Sequence, residues 1–160
     1  MIVVSDTSPL CYLVLIGKVE VLSAMYRCVV IPNAVHDELS SDKAPLAVKE
    51  WISKPPEWLV TRTVSFELEQ AMQNIDRGEQ EAIMLATTLS ADLILMDDLA
   101  GRRAARRKGH TVIGLLGILK MASDGGLLNL RDSVDSLRLT NFRIADHLLE
   151  QLLAESEKKK

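Results

Sequence analysis

Short apolar runs alternate along this chain with longer stretches in which apolar residues recur every three or four positions. Ile2-Val3-Val4, Cys28-Val29-Val30-Ile31 and Leu93-Ile94-Leu95-Met96 are continuously apolar. Runs of that length, rich in β-branched residues, predict strands buried on both faces. Trp58-Leu59-Val60 and Thr111-Val112-Ile113 predict two shorter strands. The intervening stretches read as helices. Ser8 before Pro9 predicts an N-cap, with Leu10, Leu13 and Ile16 on the helical stripe and Gly17 as the stop. Further helices are expected over residues 18–26, over 34–40 behind an Asn33 cap, and over 44–53 before Lys54-Pro55-Pro56. Others follow at 66–74, 79–89, 99–108, 115–122, 130–137 and 144–153, the last with Ile144, Leu148, Leu149 and Leu152 as its stripe. Strands that alternate with helices predict an α/β sandwich around a mostly parallel sheet, connected by right-handed crossovers. One domain over residues 1–155 and a frayed charged tail at 156–160 are expected.

Composition narrows this only a little. A chain of 160 residues with 48% hydrophobic content has enough apolar side chain for a real core. A net charge of -3 argues against a generally basic nucleic-acid binder and leaves only a local patch for that role. Cys11 and Cys28 lack metal-site spacing and sit in apolar runs, so buried free thiols in a reducing compartment are expected. No charged-then-apolar leader opens the chain. The longest apolar run, residues 10–16, is far short of the ~20 residues a membrane helix needs. A soluble, cytoplasmic protein is the expectation, with no membrane partner.

Candidate chemistry gathers in residues 76–103, a helix, a turn and a buried strand flanked by acids. Ligands in open parallel sheets bind beyond the carboxyl ends of the strands. Asp6 and Asp97 are each the first charged residue after a buried apolar run, and Asp98 follows directly. Glu38 shares a helical face with Val35 and Leu39, where an unpaired charge is costly. Glu79 and Glu81 open a helix whose next turn is wholly apolar, so at least one should point at protein. Acids converging without interleaved lysines call for protons or a cation, and a histidine-free carboxylate set suits Mg²⁺ or Mn²⁺ rather than zinc. Each acid also has a plainer role open to it. Asp6 can make a turn with Ser8, and either Asp97 or Asp98 can cap the next helix. Glu79, more than Glu81, can simply complement a helix dipole, and Glu38 can be solvated. Thr7 and Ser8 can bond to Asp6 or to a phosphate. Arg102, Arg103, Arg106, Arg107 and Lys108 read either as a phosphate clamp, led by Arg102 and Arg106, or as a solvated helical face. The three histidines show no ligand spacing.

Together these residues resemble the PIN-domain superfamily of metal-dependent ribonucleases. IVVSDTSPL is similar to the family's first strand and first acid, which implies a role for Asp6. VIPNAVHDEL resembles its strand–Pro–helix–Glu motif and implies Glu38. GEQEAIMLA followed by ADLILMDDLAGRRAARRKG resembles a branch with a GExEA helix and a DDxxGR strand end, implying Glu81 and Asp97 as the third and fourth acids. The likeness continues through residues 112–127. The commoner pattern has aspartate where Glu81 stands and threonine where Leu95 stands, which leaves Asp97 and Asp98 both open as ligand.

The resemblance implies a three-layer α/β/α fold and an endoribonuclease. Asp6, Glu38, Glu81 and Asp97 would be catalytic, and Asp6, Glu81 and Asp97 or Asp98 would hold Mg²⁺ or Mn²⁺. Thr7, Ser8, Arg102 and Arg106 would bind RNA. The resemblance also implies a homodimer and, in its toxin-like members, an antitoxin partner. A PIN scaffold that binds RNA or protein without cutting is the alternative. A phosphatase using Asp6 as nucleophile is disfavoured, because that chemistry wants a second aspartate where Ser8 stands.

Overall fold

The computed structural model describes residues 1–143 and 146–158. Its strands are β1 (Val3–Ser5), β2 (Val29–Pro32), β3 (Leu59–Arg62), β4 (Leu93–Leu95) and β5 (Val112–Ile113). They form one five-stranded sheet in the order β3-β2-β1-β4-β5, and every pairing is parallel. The chain therefore starts at the centre, builds outward through β2 and β3, then returns to the other side of β1. That reversal places the switch point between β1 and β4, where Ser5 stands opposite Leu95. The residues that follow these two strands are Asp6 and, after Met96, Asp97.

The helices are α1 (Thr7–Leu15), α2 (Val21–Tyr26), α3 (Asn33–Ser40), α4 (Leu46–Ser53), α5 (Arg77–Leu89), α6 (Leu99–Arg107), α7 (Leu115–Asp124), α8 (Leu130–Arg138) and α9 (Asp146–Lys158). Strand residues alternate between two cores, as pleating requires. Val3, Val29, Ile31, Leu93 and Leu95 pack with α1–α4 and α7–α9. Val4, Ile94 and Met96 pack on the opposite face with Ile83 and Ala86 of α5 and Ala104 and Ala105 of α6. The result is the three-layer α/β/α sandwich, with helices on both faces of the sheet.

Several local expectations are corrected. Asp6, not Ser8, occupies the N-cap of α1, so Pro9 falls inside the first turn. Asn33 does not cap α3: its amide donates to Thr63 Oγ1 (3.0 Å), and the Ala34 N–H is taken by Glu81 Oε1 (3.1 Å) from α5. Residues 66–74 are helical only as a single 3₁₀ turn at Gln70–Met72. Packing overrides propensity there: Phe66, Met72 and Ile75 turn into the second core, and the Gln80 amide takes the Met72 and Ile75 carbonyls (3.0 and 2.9 Å). Cys28 is exposed and precedes β2, while Cys11 is half-buried; both are free thiols. The α9 helix runs to Lys158 and Glu157 accepts from Arg131 (2.8 Å); of the charged tail at 156–160, residues 159–160 lie outside the described residues. Leu149 and Leu153 are its buried apolar residues and Leu148 is exposed; Ile144 lies outside the described residues.

Candidate active site

A cavity of about 860 Å³ opens over the carboxyl ends of β1 and β4, at the switch point. Its walls carry the carboxylates of Asp6, Glu38, Asp76, Glu79, Asp97 and Asp98, together with Thr7, Ser8, Arg102 and Arg143. Asp6 is fixed by the sheet itself. Its N–H donates to Leu95 O (2.9 Å) and its carbonyl accepts from Ser5 Oγ (2.8 Å), which leaves the side chain to face the cavity. It is only 6% exposed. Burial above all raises its pKa well above the usual aspartate value, and the charges of Asp76, Glu79 and Glu38 add to this against the Thr7 N–H.

Glycine at the start of α5 makes room for the acids. A Cβ on Gly78 would strike Glu38 Oε1 and approach Asp6 Oδ1 to 3.4 Å. Thr7 Oγ1 donates to Glu38 Oε2 (2.5 Å), and the Gly78 N–H also favours the charged carboxylate. Burial and the charges of Asp76 and Glu81 outweigh these bonds and raise the Glu38 pKa. Asp76 and Glu79 close a capping box: Glu79 N–H donates to Asp76 Oδ1 (2.8 Å) and Asp76 N–H to Glu79 Oε2 (3.2 Å). Glu79 does serve its helix N-terminus, as its position suggests, but it is also 5% exposed and walled in by Gly101 of α6. Burial, then the charges of Asp76 and Asp98, push its pKa up to about 7.

Glu81 goes elsewhere. Two residues after Glu79, it lies about 200° round the helix. Its Oε1 accepts from Ala34 N and its Oε2 from Arg77 Nε (2.7 Å), so it substitutes for the missing cap of α3 and does not line the cavity.

The two neighbouring aspartates separate in the same way. Asp98 caps α6 by accepting from Gly101 N (3.1 Å). Asp97 Oδ1 accepts from Leu115 N (2.7 Å) at the start of α7, while its Oδ2 is buried with no partner. Burial raises the Asp97 pKa, against the Leu115 N–H, the Ser8 hydroxyl and the Arg102 charge. Gly114 lets this corner form, since a Cβ there would lie 2.9 Å from Asp97 Oδ1 and 3.0 Å from Arg102 Nη1. Arg102 Nε is likewise buried without a partner. Arg106 is exposed and does not line the cavity.

A family model for the PIN domain matches residues 2–158, nearly the whole chain. The chain belongs to the PIN-domain family. No curated protein and no solved structure matches it. PIN domains are generally nucleases that use divalent metals, and membership points to a nuclease- or RNA-related role. No helix among the described residues is long and apolar enough to cross a membrane.

Metal fit can be judged from the donors. Among the described residues, no three acidic, histidine or cysteine side chains close on one point as a ready-made cage. Mg²⁺ does not need one: it commonly takes one or two carboxylates and fills its remaining positions with water and substrate phosphate. All the cavity's acids are oxygen donors, and the unpartnered Asp97 Oδ2 wants a proton or a cation. The PIN domain's cavity therefore fits a hard divalent ion.

Proposed function

We propose that this PIN domain is a Mg²⁺- or Mn²⁺-dependent endoribonuclease. The observation that carries the reading is the meeting of buried Asp6 and half-buried Asp97, from adjacent strand ends, with Arg102 in one cavity. Asp6 and Asp97 would hold the ion, with Glu38, Asp76 and Glu79 reaching it through water. When bound, such an ion offsets the carboxylates' repulsion and polarises the phosphodiester. Arg102 holds the scissile phosphate through its guanidinium. Glu38, positioned by Thr7 and Gly78, orients the attacking water and takes its proton at a carboxylate oxygen. The Ser8 hydroxyl favours the charged form of Asp97. Asp98 and Glu81 serve helix termini in this account, so neither is assigned to the ion.

The test is cleavage of a single-stranded RNA with Mn²⁺ or with EDTA. Wild type should cut only with Mn²⁺. Asp97→Asn should lose about 10²–10⁴-fold in rate, the range for groups that act directly in the chemistry. Asp98→Asn should lose less than about tenfold, because Asn caps a helix as well as Asp does. Equal losses for the two would put Asp98 in the site. Cutting that persists in EDTA would remove the metal from the account.

A further inference from the structure

The acids are only part of the cavity's lining. Ile113, Leu116, Phe142 and Leu148 give it an apolar wall as well, with the exposed Arg143 next to Phe142 in the chain. The nuclease chemistry proposed above makes no use of this wall. It is also built rather than incidental. The Phe142 ring packs edge-on against the Tyr12 ring of α1, with centroids 5.0 Å apart and planes at 76°. Tyr12 O–H donates to Asn141 Oδ1 (2.7 Å), and Phe142 N–H donates to Thr140 Oγ1 (3.2 Å). Residues 141 and 142, after α8, are thus tied to α1, the helix that begins directly after Asp6. Gly117 lets Ile113 lie flat in the same wall, since a Cβ there would fall 2.6 Å from Ile113 Cγ1.

We propose that this wall is a subsite for one unpaired nucleobase, stacked on Phe142, of the RNA strand whose phosphate Arg102 holds. The inference rests on the nuclease reading for the position of that phosphate. Three features select this occupant. The apolar wall is continuous with the phosphate site in one cavity, so a single nucleotide reaches both. An aromatic ring and an exposed arginine beside a phosphate-binding cation form the combination that holds single strands, because every base has a π-face to stack. The volume lies within the range of sites that enclose a small ligand, about 300–1,000 Å³. A base still paired in a duplex cannot enter, so the strand must be single at this position.

Binding separates the subsite from the chemistry. The probes are a fluorescein-labelled RNA octamer of mixed sequence and a ribose-phosphate octamer of the same length without bases, read by anisotropy in EDTA so that the strand stays intact. Both carry the same charge, so their difference reports the base alone. Wild type should prefer the octamer with bases by about tenfold or more, the scale of a stacked base. Phe142→Leu, which keeps apolar volume and so the fold, should erase the preference, and Phe142→Trp should keep it. Equal binding of both probes by wild type, as expected if the wall receives a protein segment, would overturn the proposal. So would a preference that survives Phe142→Leu. Base preference without cleavage in Mn²⁺ would remove the nuclease reading and leave the subsite; cleavage without base preference would do the reverse.

Discussion

Asp6→Asn is expected to reduce RNA cleavage by about 10²–10⁴-fold while raising the melting temperature in EDTA. The two effects have one cause. Asp6 is 6% exposed, and burial with the charges of Asp76, Glu79 and Glu38 raises its pKa well above the usual value. A carboxyl whose folded pKa lies above its unfolded one destabilises the folded state at any pH where the unfolded chain ionises it. That cost is present above the folded pKa and disappears as pH falls toward the unfolded value of 3.8. Glu79, pushed to about 7, behaves likewise. Stability in EDTA should therefore increase as pH is lowered from 8 toward 5, with a shallower slope in Asp6→Asn. For a chain of this size each kcal/mol recovered raises the melting temperature by about 2–4 °C. A variant that lost activity and stability together would show Asp6 to be a structural residue. One that gained stability and kept activity would show that the cluster does no chemistry.

Gly78→Ala is expected to lose about 10²-fold in cleavage with little change in stability. Alanine is intrinsically the better helix former by about 1 kcal/mol. Against that, its Cβ would strike Glu38 Oε1. That atom is the far end of a flexible side chain, so the strain is relieved by swinging Glu38 away. Doing so breaks its bond from Thr7 Oγ1 (2.5 Å) and displaces the group proposed to receive the proton. Propensity and lost hydrogen bonding offset each other in stability, whereas the displaced carboxylate has nothing to restore it. Thermal melts and cleavage rates measured on the same preparation decide the matter. Activity within about threefold of wild type would mean that Glu38 is not where the chemistry happens.

The parts of this molecule that follow from strand logic were legible in the sequence. Three continuous apolar runs announced the buried strands, and the first charge after two of them, Asp6 and Asp97, marked the ends that meet at the switch point. What sequence reading lacked was angular information and tertiary capping. Glu79 and Glu81 differ by two residues and about 200° of helix, and only the packed structure shows Glu79 turned to the cavity and Glu81 to α3. A signal was available in Asp76-Arg77-Gly78-Glu79, which has the spacing of a capping box and would have placed both carboxylates at one helix start. Asn33 is not the cap because α3 already begins at it, with Pro32 at the N-cap, and the N–H of Ala34, the second helical residue, is satisfied by Glu81 from 47 positions away. Phe142 carries no local cue at all. It meets Tyr12 only after α7, α8 and α9 have packed against the sheet, and a contact 130 positions apart in sequence leaves no periodicity to read.

The acid cluster as a divalent-cation site is the claim on which the proposed catalysis depends, and the most direct measurement is anomalous diffraction from a Mn²⁺-soaked crystal. The account predicts a peak in the cavity between β1 and β4, within about 2.0–2.3 Å of an Asp6 carboxylate oxygen and facing Asp97 Oδ2. A peak at Glu81 or elsewhere, or no peak in the cavity at saturating Mn²⁺, would contradict it.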